Sequence, residues 1–360
     1  MAFEVDSFLT RVVETGGSDV HLTVDERPML RIGGRIVKID MPKLSYEDMT
    51  YIIDVLTPDI LKEKVKNLTD IDFSYEVKGI SRYRINIAFQ MNKPKLSIRV
   101  IPYNVKTPTE LGLPEYVDKF IDAKAGLVLV TGKTGSGKST TLASLINEIN
   151  KRYQKHIITL EDPVEFLFTN QKSIVTQRQI GIDTTCFSDG VKYALRQDPD
   201  VILVGEIRDE DSVRHALLAA ETGLLVFATL HTKDSVQTIS RIINMFKPEF
   251  RENVREEIAE VLVGVVSQKL VLGKDKKTRH LACEILVNTP TISDLIKKGK
   301  TDEVYKFIKG NSFENMKTMN DSLYELLQKD LITEDEAIAM SENPIELQQM
   351  IKGVFSGTKM

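Results

Sequence analysis

Residues 126–139 read Gly126-Leu127-Val128-Leu129-Val130-Thr131-Gly132-Lys133-Thr134-Gly135-Ser136-Gly137-Lys138-Ser139. The first six are short, apolar and β-branched, the pattern of a strand buried on both faces of a parallel sheet. The rest fill every required position of G-x-x-x-x-G-K-[ST], the loop that cradles phosphates. Leu142, Leu145, Ile146 and Ile149 then follow Thr140 at helical spacing. Strand, glycine loop and helix together aim backbone N–H groups and a helix N-terminus at a polyphosphate. A nucleoside triphosphate is the expected ligand, held by Thr134, Gly135, Ser136, Gly137, Lys138, Ser139 and Thr140. Lys138 is expected to reach the β- and γ-phosphates, and Ser139 to place its hydroxyl on Mg²⁺.

Working outward, residues 126–268 alternate strand and helix signals. Strands are predicted at 127–131, 156–160, 201–205 and 225–229, with helices over Ser188–Arg196 and Asp211–Ala220. That alternation predicts an α/β domain with a parallel sheet. Glu252 through Leu270 reads as one long amphipathic helix, with Val254, Ile258, Val261, Leu262 and Val265 on one side.

Before this region lie strand signals at Ser18–Val24, Met29–Ile32, Ser81–Ile87 and Leu96–Ile101, with Gly33-Gly34 as a hairpin turn. Ser45 with Glu47 and Asp48 starts a helix that runs toward Leu56, before Pro58. Pro102, Pro108 and Pro114 mark a linker. The expected division is an N-terminal domain at 1–101, a linker at 102–114, the nucleotide-binding core at 115–272 and a mostly helical region at 273–360. In that last region Thr333 with Glu336 resembles a capping box, and Asn343-Pro344 reads as an N-cap followed by proline at the first helical position.

Composition narrows the function. The chain has 360 residues, 28% charged and 42% apolar, as globular domains do. A net charge of −4 without a basic block argues against a nucleic-acid partner. No apolar run is long enough to span a bilayer, and the N-terminus lacks the basic start and apolar core of a signal peptide. Cys186 and Cys283 stand far apart, which fits neither a disulfide framework nor a zinc site and suits a reducing cytoplasm.

Two further strands deliver acids. Asp198-Pro199-Asp200-Val201-Ile202-Leu203-Val204-Gly205-Glu206 ends in Glu206, placed to organise Mg²⁺ and its waters. Gly205 stands where many P-loop proteins carry an aspartate. Ile157-Ile158-Thr159-Leu160-Glu161-Asp162-Pro163 delivers Glu161, the candidate to orient or deprotonate the attacking water. Buried strands ending in solvated acids would look alike in isolation. His231, in Ala228-Thr229-Leu230-His231-Thr232, reads on its own as a structural histidine or as a γ-phosphate sensor. Arg82, Arg84 and Arg99 read as solvated strand residues or as cations supplied across a subunit boundary.

In this order the motifs resemble the PilT family of type IV pilus retraction ATPases, within the wider secretion ATPase superfamily. The resemblance covers nearly the whole chain. It rests on Gly17-Ser18-Asp19-Val20-His21-Leu22, on Arg82-Tyr83-Arg84 and on the phosphate loop with Thr140-Thr141-Leu142. It continues through Leu160-Glu161-Asp162-Pro163-Val164-Glu165-Phe166, Asp198 to Asp209, Ala219-Ala220-Glu221-Thr222-Gly223 and Thr229-Leu230-His231-Thr232. It implies a RecA-like P-loop ATPase core, a PAS-like α+β N-terminal domain, a helical C-terminal tail, and a homohexamer with ATP and Mg²⁺ between subunits. It also assigns Glu161 the catalytic carboxylate role, Glu206 the metal-organising role, His231 a coupling role, and Arg82, Arg84 and Arg99 roles in trans. The implied partners are an inner-membrane platform protein like PilC and paralogues like PilU or PilB. The implied location is cytoplasmic, peripheral to the inner-membrane pilus machinery.

The short chain without a four-cysteine element favours the retraction branch over PilB- or GspE-like assembly and secretion ATPases. Thr291-Ile292-Ser293-Asp294-Leu295-Ile296-Lys297-Lys298 keeps the apolar spacing of the retraction signature A-I-R-N-L-I-R-E but not its alanine, arginine or asparagine. An accessory role like that of PilU, a nucleic-acid motor and a nucleotide-gated binding protein are the competing readings.

Overall fold

Period-two alternation in the first hundred residues builds an antiparallel six-stranded sheet, ordered β3-β2-β1-β6-β5-β4. The computed structural model describes residues 3–310 and 315–353. The strands are β1 (Gly17–Thr23), β2 (Met29–Ile32), β3 (Arg35–Lys38), β4 (Ile71–Val77), β5 (Ser81–Gln90) and β6 (Lys93–Ile101). The helices are α1 (Val5–Glu14), α2 (Tyr46–Leu56) and α3 (Lys62–Lys66). Val20, Ile98, Ile85 and Phe73 lie in one row across the sheet and are buried in the core that α1 and α2 share. Asp19, Arg99, Arg84 and Ser74 form the row beside it, on the opposite face. The three arginines of the sequence reading are therefore set by strand register. Ser45 caps α2 in a reciprocal box with Asp48, and Ile32 pairs with Arg35 across Gly33-Gly34, both as expected.

The second sheet has seven strands in the order β13-β12-β7-β11-β10-β8-β9. These are β7 (Gly126–Thr131), β8 (His156–Glu161), β9 (Ile174–Gln179), β10 (Val201–Val204), β11 (Leu225–Leu230), β12 (Leu262–Leu272) and β13 (Arg279–Val287). Strands β12, β7, β11, β10 and β8 run parallel, the RecA-like pattern. The helices from here on are α4 (Asp118–Ile121), α5 (Lys138–Arg152), α6 (Phe187–Ala194), α7 (Glu210–Glu221), α8 (Ser235–Asn244), α9 (Arg251–Val261), α10 (Pro290–Lys297), α11 (Thr301–Gly310), α12 (Met319–Gln328), α13 (Glu334–Met340) and α14 (Pro344–Ile351). Every residue of β7, β10 and β11 is buried. A fully buried Leu, Ile or Val contributes about 1.5–3 kcal/mol, so these strands anchor the core. Among the described residues no helix is long and apolar enough to cross a membrane.

By compactness the chain divides into two units. One comprises Met1–Val105, Glu161–Phe168 and Arg178–Thr185; the other comprises Lys106–Leu160, Thr169–Gln177 and Cys186–Met360. Two short segments that lie within the core in chain order thus pack with the N-terminal sheet. Ser74 Oγ donates to the Val164 carbonyl (2.8 Å), and Ile180 N donates to the Glu161 carbonyl (2.9 Å).

One predicted element was wrong. The single helix over Glu252–Leu270 is α9 followed directly by β12. Val254, Ile258 and Val261 are the buried face of α9, and Leu262 and Val265 continue that spacing by coincidence. From Leu262 the β-branched residues gain ladder bonds to both β7 and β13, and these decide for strand. The predicted helical region after residue 272 also contains β13, while its α12–α14 pack on β12 and β13 through Leu323, Ile332, Ala337 and Leu347. The Thr333 hydroxyl accepts from Glu336 N, one half of the expected box, and Asn343 caps α14 as expected.

Gly264 is required by close approach. A Cβ there would lie 2.6 Å from both the Leu286 carbonyl oxygen and the Phe120 ring. Gly264→Ala is expected to lower unfolding stability by about 1–3 kcal/mol in urea titration, the cost of overpacking. An unchanged midpoint would refute this reading of the β12–β13 seam.

Candidate active site

The phosphate loop joins the buried end of β7 to α5. Gly132 has φ +145°, and a Cβ there would meet the Gln268 carbonyl and the Ser136 hydroxyl, each at 2.5 Å. Gly137 caps α5 at φ +90° and brings no side-chain bond. The first-turn N–H groups of α5 are therefore left without a side-chain cap, which makes the terminus a ready anion site. Lys138 is 9% exposed, and its Nζ donates to the carbonyls of Gly132 (2.9 Å) and Lys133 (3.2 Å). The Ser136 hydroxyl is buried without a protein partner, whereas Thr134, Gly135 and Ser139 are exposed and Thr140 is half-buried. A cradle of this size with an orphaned hydroxyl and a central ammonium fits a polyphosphate.

The chain beyond β10 stays stitched to both neighbouring strands. Gly205 N donates to the Leu160 carbonyl (2.7 Å), and Ile207 N donates to the Thr229 carbonyl (2.9 Å). Glu206 is thereby fixed at the carboxyl end of the sheet. Its Oε2 accepts from Arg208 Nη2 (2.8 Å), and its Oε1 lies 3.4 Å from His231 Nε2. Burial pushes the Glu206 carboxyl up, but the hydrogen bond and charge of Arg208, with His231 and Lys138, pull it on balance below the usual glutamate range. Glu206, Arg208 and His231 border a cavity of 560 Å³ that Gln237, Arg241 and Asn244 of α8 also line.

The structure thus brings Lys138, Glu206 and His231 together. It adds Arg208, quoted in the motif but assigned no role, and Arg241. Their signal was weak, because a charged residue beside a strand end reads as solvated. Glu161 is the last residue of β8 and packs with the first unit. Arg82, Arg84 and Arg99 sit in that unit too. Arg82 Nε donates to the Val164 carbonyl (3.2 Å) and its Nη2 to Ser74 Oγ (3.0 Å). Arg84 pairs with Glu165 (3.3 Å) and Asp72 (3.4 Å), and Arg99 pairs with Asp19 (2.9 Å). Burial lowers the Arg82 value, against the attraction of Glu76 and Glu161.

Comparison with known proteins follows this geometry. The family model for type II/IV secretion system proteins matches residues 2–352. The type IV pilus retraction ATPase PilT of Pseudomonas aeruginosa is 39% identical over 344 residues, 95% of this chain and 99% of that protein. The type IV pilus ATPase PilU of the same organism is 37% identical over 350 residues, 97% of this chain and 91% of that protein. A crystal structure of the pilus retraction motor PilT with bound ADP superposes with a TM-score of 0.89 at 40% identity, covering 97% of this chain and all of that one.

Helix α8 follows the His231 loop and begins against a buried acid. Asp234 caps it by accepting from Gln237 N (2.7 Å), and Ser235 N donates to Glu284 Oε1 (2.8 Å). Glu284 is 2% exposed, and burial pushes its carboxyl up to about 7 despite the hydrogen bonds from Ser235. A folded-state value above the unfolded value of about 4.3 means that the native state binds the proton more tightly. That contribution favours folding in acid and is lost as pH rises through 7. Glu284→Gln keeps an acceptor for Ser235 N and removes the charge. Its stability advantage over the wild type in urea unfolding is expected to grow from pH 5 to pH 8, at no more than about 1.4 kcal/mol per pH unit. A pH-independent difference would show that Glu284 is not buried as an acid.

Proposed function

The chain belongs to the type II/IV secretion system protein family, and on that premise we propose that it is a homohexameric motor powering retraction of type IV pili. It is an ATPase that binds its nucleotide at the 132–139 loop. The observation that carries the reading is the near end-to-end similarity to PilT, with the loop, Glu206 and His231 gathered at one sheet edge.

In this mechanism the α5 N-terminus and Lys138 bind the β- and γ-phosphates. Ser139 and Glu206 supply hard oxygen donors suited to Mg²⁺, and the lowered Glu206 value keeps that carboxylate ionised. Among the described residues no cluster of three His, Cys, Asp or Glu side chains forms a metal cage of its own. Held by Ser139 and Glu206 beside the nucleotide, Mg²⁺ would supply charge neutralisation at the phosphate oxygens. Glu161 orients and deprotonates the attacking water. His231, 3.4 Å from the Glu206 carboxylate, registers loss of the γ-phosphate. Arg82, Arg84 and Arg99 contribute in trans, each exchanging the carboxylate or carbonyl it holds here for a neighbouring protomer's phosphate. ATP drives the cycle only through its differential affinity for the two arrangements of the units. The motor acts on an inner-membrane platform protein like PilC from the cytoplasmic side, beside paralogues like PilU or PilB.

A second reading, an accessory ATPase like PilU, is favoured by the nearly equal identity to PilU. Deletion in the host separates the two: abundant filaments that fail to retract support the motor, and normal retraction excludes it. In vitro, Glu161→Gln and Glu206→Gln are each expected to bind a fluorescent ADP analogue normally while kcat falls by about 100-fold or more, with no stimulation of the wild type by DNA. Wild-type turnover in both variants refutes the assignment of the acids, and DNA-stimulated turnover refutes the choice of partner.

A further inference from the structure

Four hydroxyls lie in the core behind the site, where neither phosphate binding nor hydrolysis as described makes use of them. Thr131 is the last residue of β7, directly before Gly132, and Thr232 directly follows His231. Thr238 is on the buried face of α8 and Ser267 is on β12. Thr131, Thr238 and Ser267 are wholly buried, and Thr232 is nearly so. The Thr131 hydroxyl donates to Ser267 Oγ (2.9 Å). The Thr232 and Thr238 hydroxyl oxygens are 2.7 Å apart, and Thr238 Oγ1 lies 3.5 Å from Thr131 Oγ1.

Donor counting orients the chain. A threonine hydroxyl has one proton. Thr238 spends it on the Asp234 carbonyl (2.7 Å), which can only accept. Thr232 must then be the donor to Thr238. The side chain of Thr238 therefore ties the residue after His231 to the first turn of α8, within reach of the residue before the phosphate loop. A buried hydroxyl is costly to leave unpaired, so such a string holds one geometry.

We propose that Thr238 is a positioning residue for hydrolysis: its hydroxyl accepts from Thr232 and donates to the Asp234 carbonyl, locking the His231 loop to the first turn of α8 beside the β7 end, so that the His231–Glu206 pair keeps one spacing from the phosphate loop through the cycle. The proposal rests on the reading of His231 given above. Thr238→Val preserves shape and removes the donor and acceptor; Thr238→Ser restores them. Thr238→Val is expected to lower kcat by about tenfold while the dissociation constant for a fluorescent ADP analogue changes by less than about twofold. Thr238→Ser should recover most of the rate. In a His231→Ala background Thr238→Val should cost little more, because the two act through one element. Thr232→Val tests the same bond from its other end, should Thr238→Val not fold. Wild-type kcat in folded Thr238→Val or Thr232→Val, or a loss additive with His231→Ala, overturns the proposal alone. A wild-type kcat in His231→Ala overturns both it and the histidine assignment on which it rests.

Discussion

A strand buried on both faces has no room for an unpaired polar side chain until it ends. β7, β10 and β11 are buried along their whole lengths, so the loop, Glu206 and His231 emerge together where those strands stop. The parallel direction of the strands places all three emergences on one edge. Everything chemical in the second unit follows from that confinement, including the absence of a side-chain cap on α5. The cost of leaving N–H groups uncapped is tolerable only because an anion can satisfy them.

Charge at this edge is balanced locally. Burial disfavours an ionised Glu206, while Arg208, His231 and Lys138 restore it. The same logic governs the first unit, where Arg82, Arg84 and Arg99 are each matched with an acid or carbonyl. Those pairs are partly exposed, so their worth is more geometric than energetic. They fix where the guanidinium groups point. Glu284 shows the opposite case: an acid without a cation in direct contact, whose surroundings favour its neutral form at the start of α8.

Much of this was legible in the sequence because the signals were local. The 132–139 loop, the buried runs at 127–131 and 225–229, and the Ser45 cap each depend on a few neighbouring residues. The β12 strand was missed because its fate depends on ladder partners far away in the chain, while its apolar spacing imitates a helix. β4 was missed although Ile71, Phe73, Tyr75 and Val77 alternate, because charged neighbours dilute a short strand. Arg208 and Arg241 gain meaning only when Glu206 and α8 border the same cavity. The family resemblance supplied roles for His231 and the arginines that no local pattern carries.

Leu160 is held in the second sheet by Gly205, and the next residue, Glu161, already packs with the first unit. No spacer residue separates the last ladder position of β8 from the acid. Glu161 is the last residue of β8 and the first of the 161–168 segment, so the strand that holds Leu160 also fixes where the acid leaves the sheet.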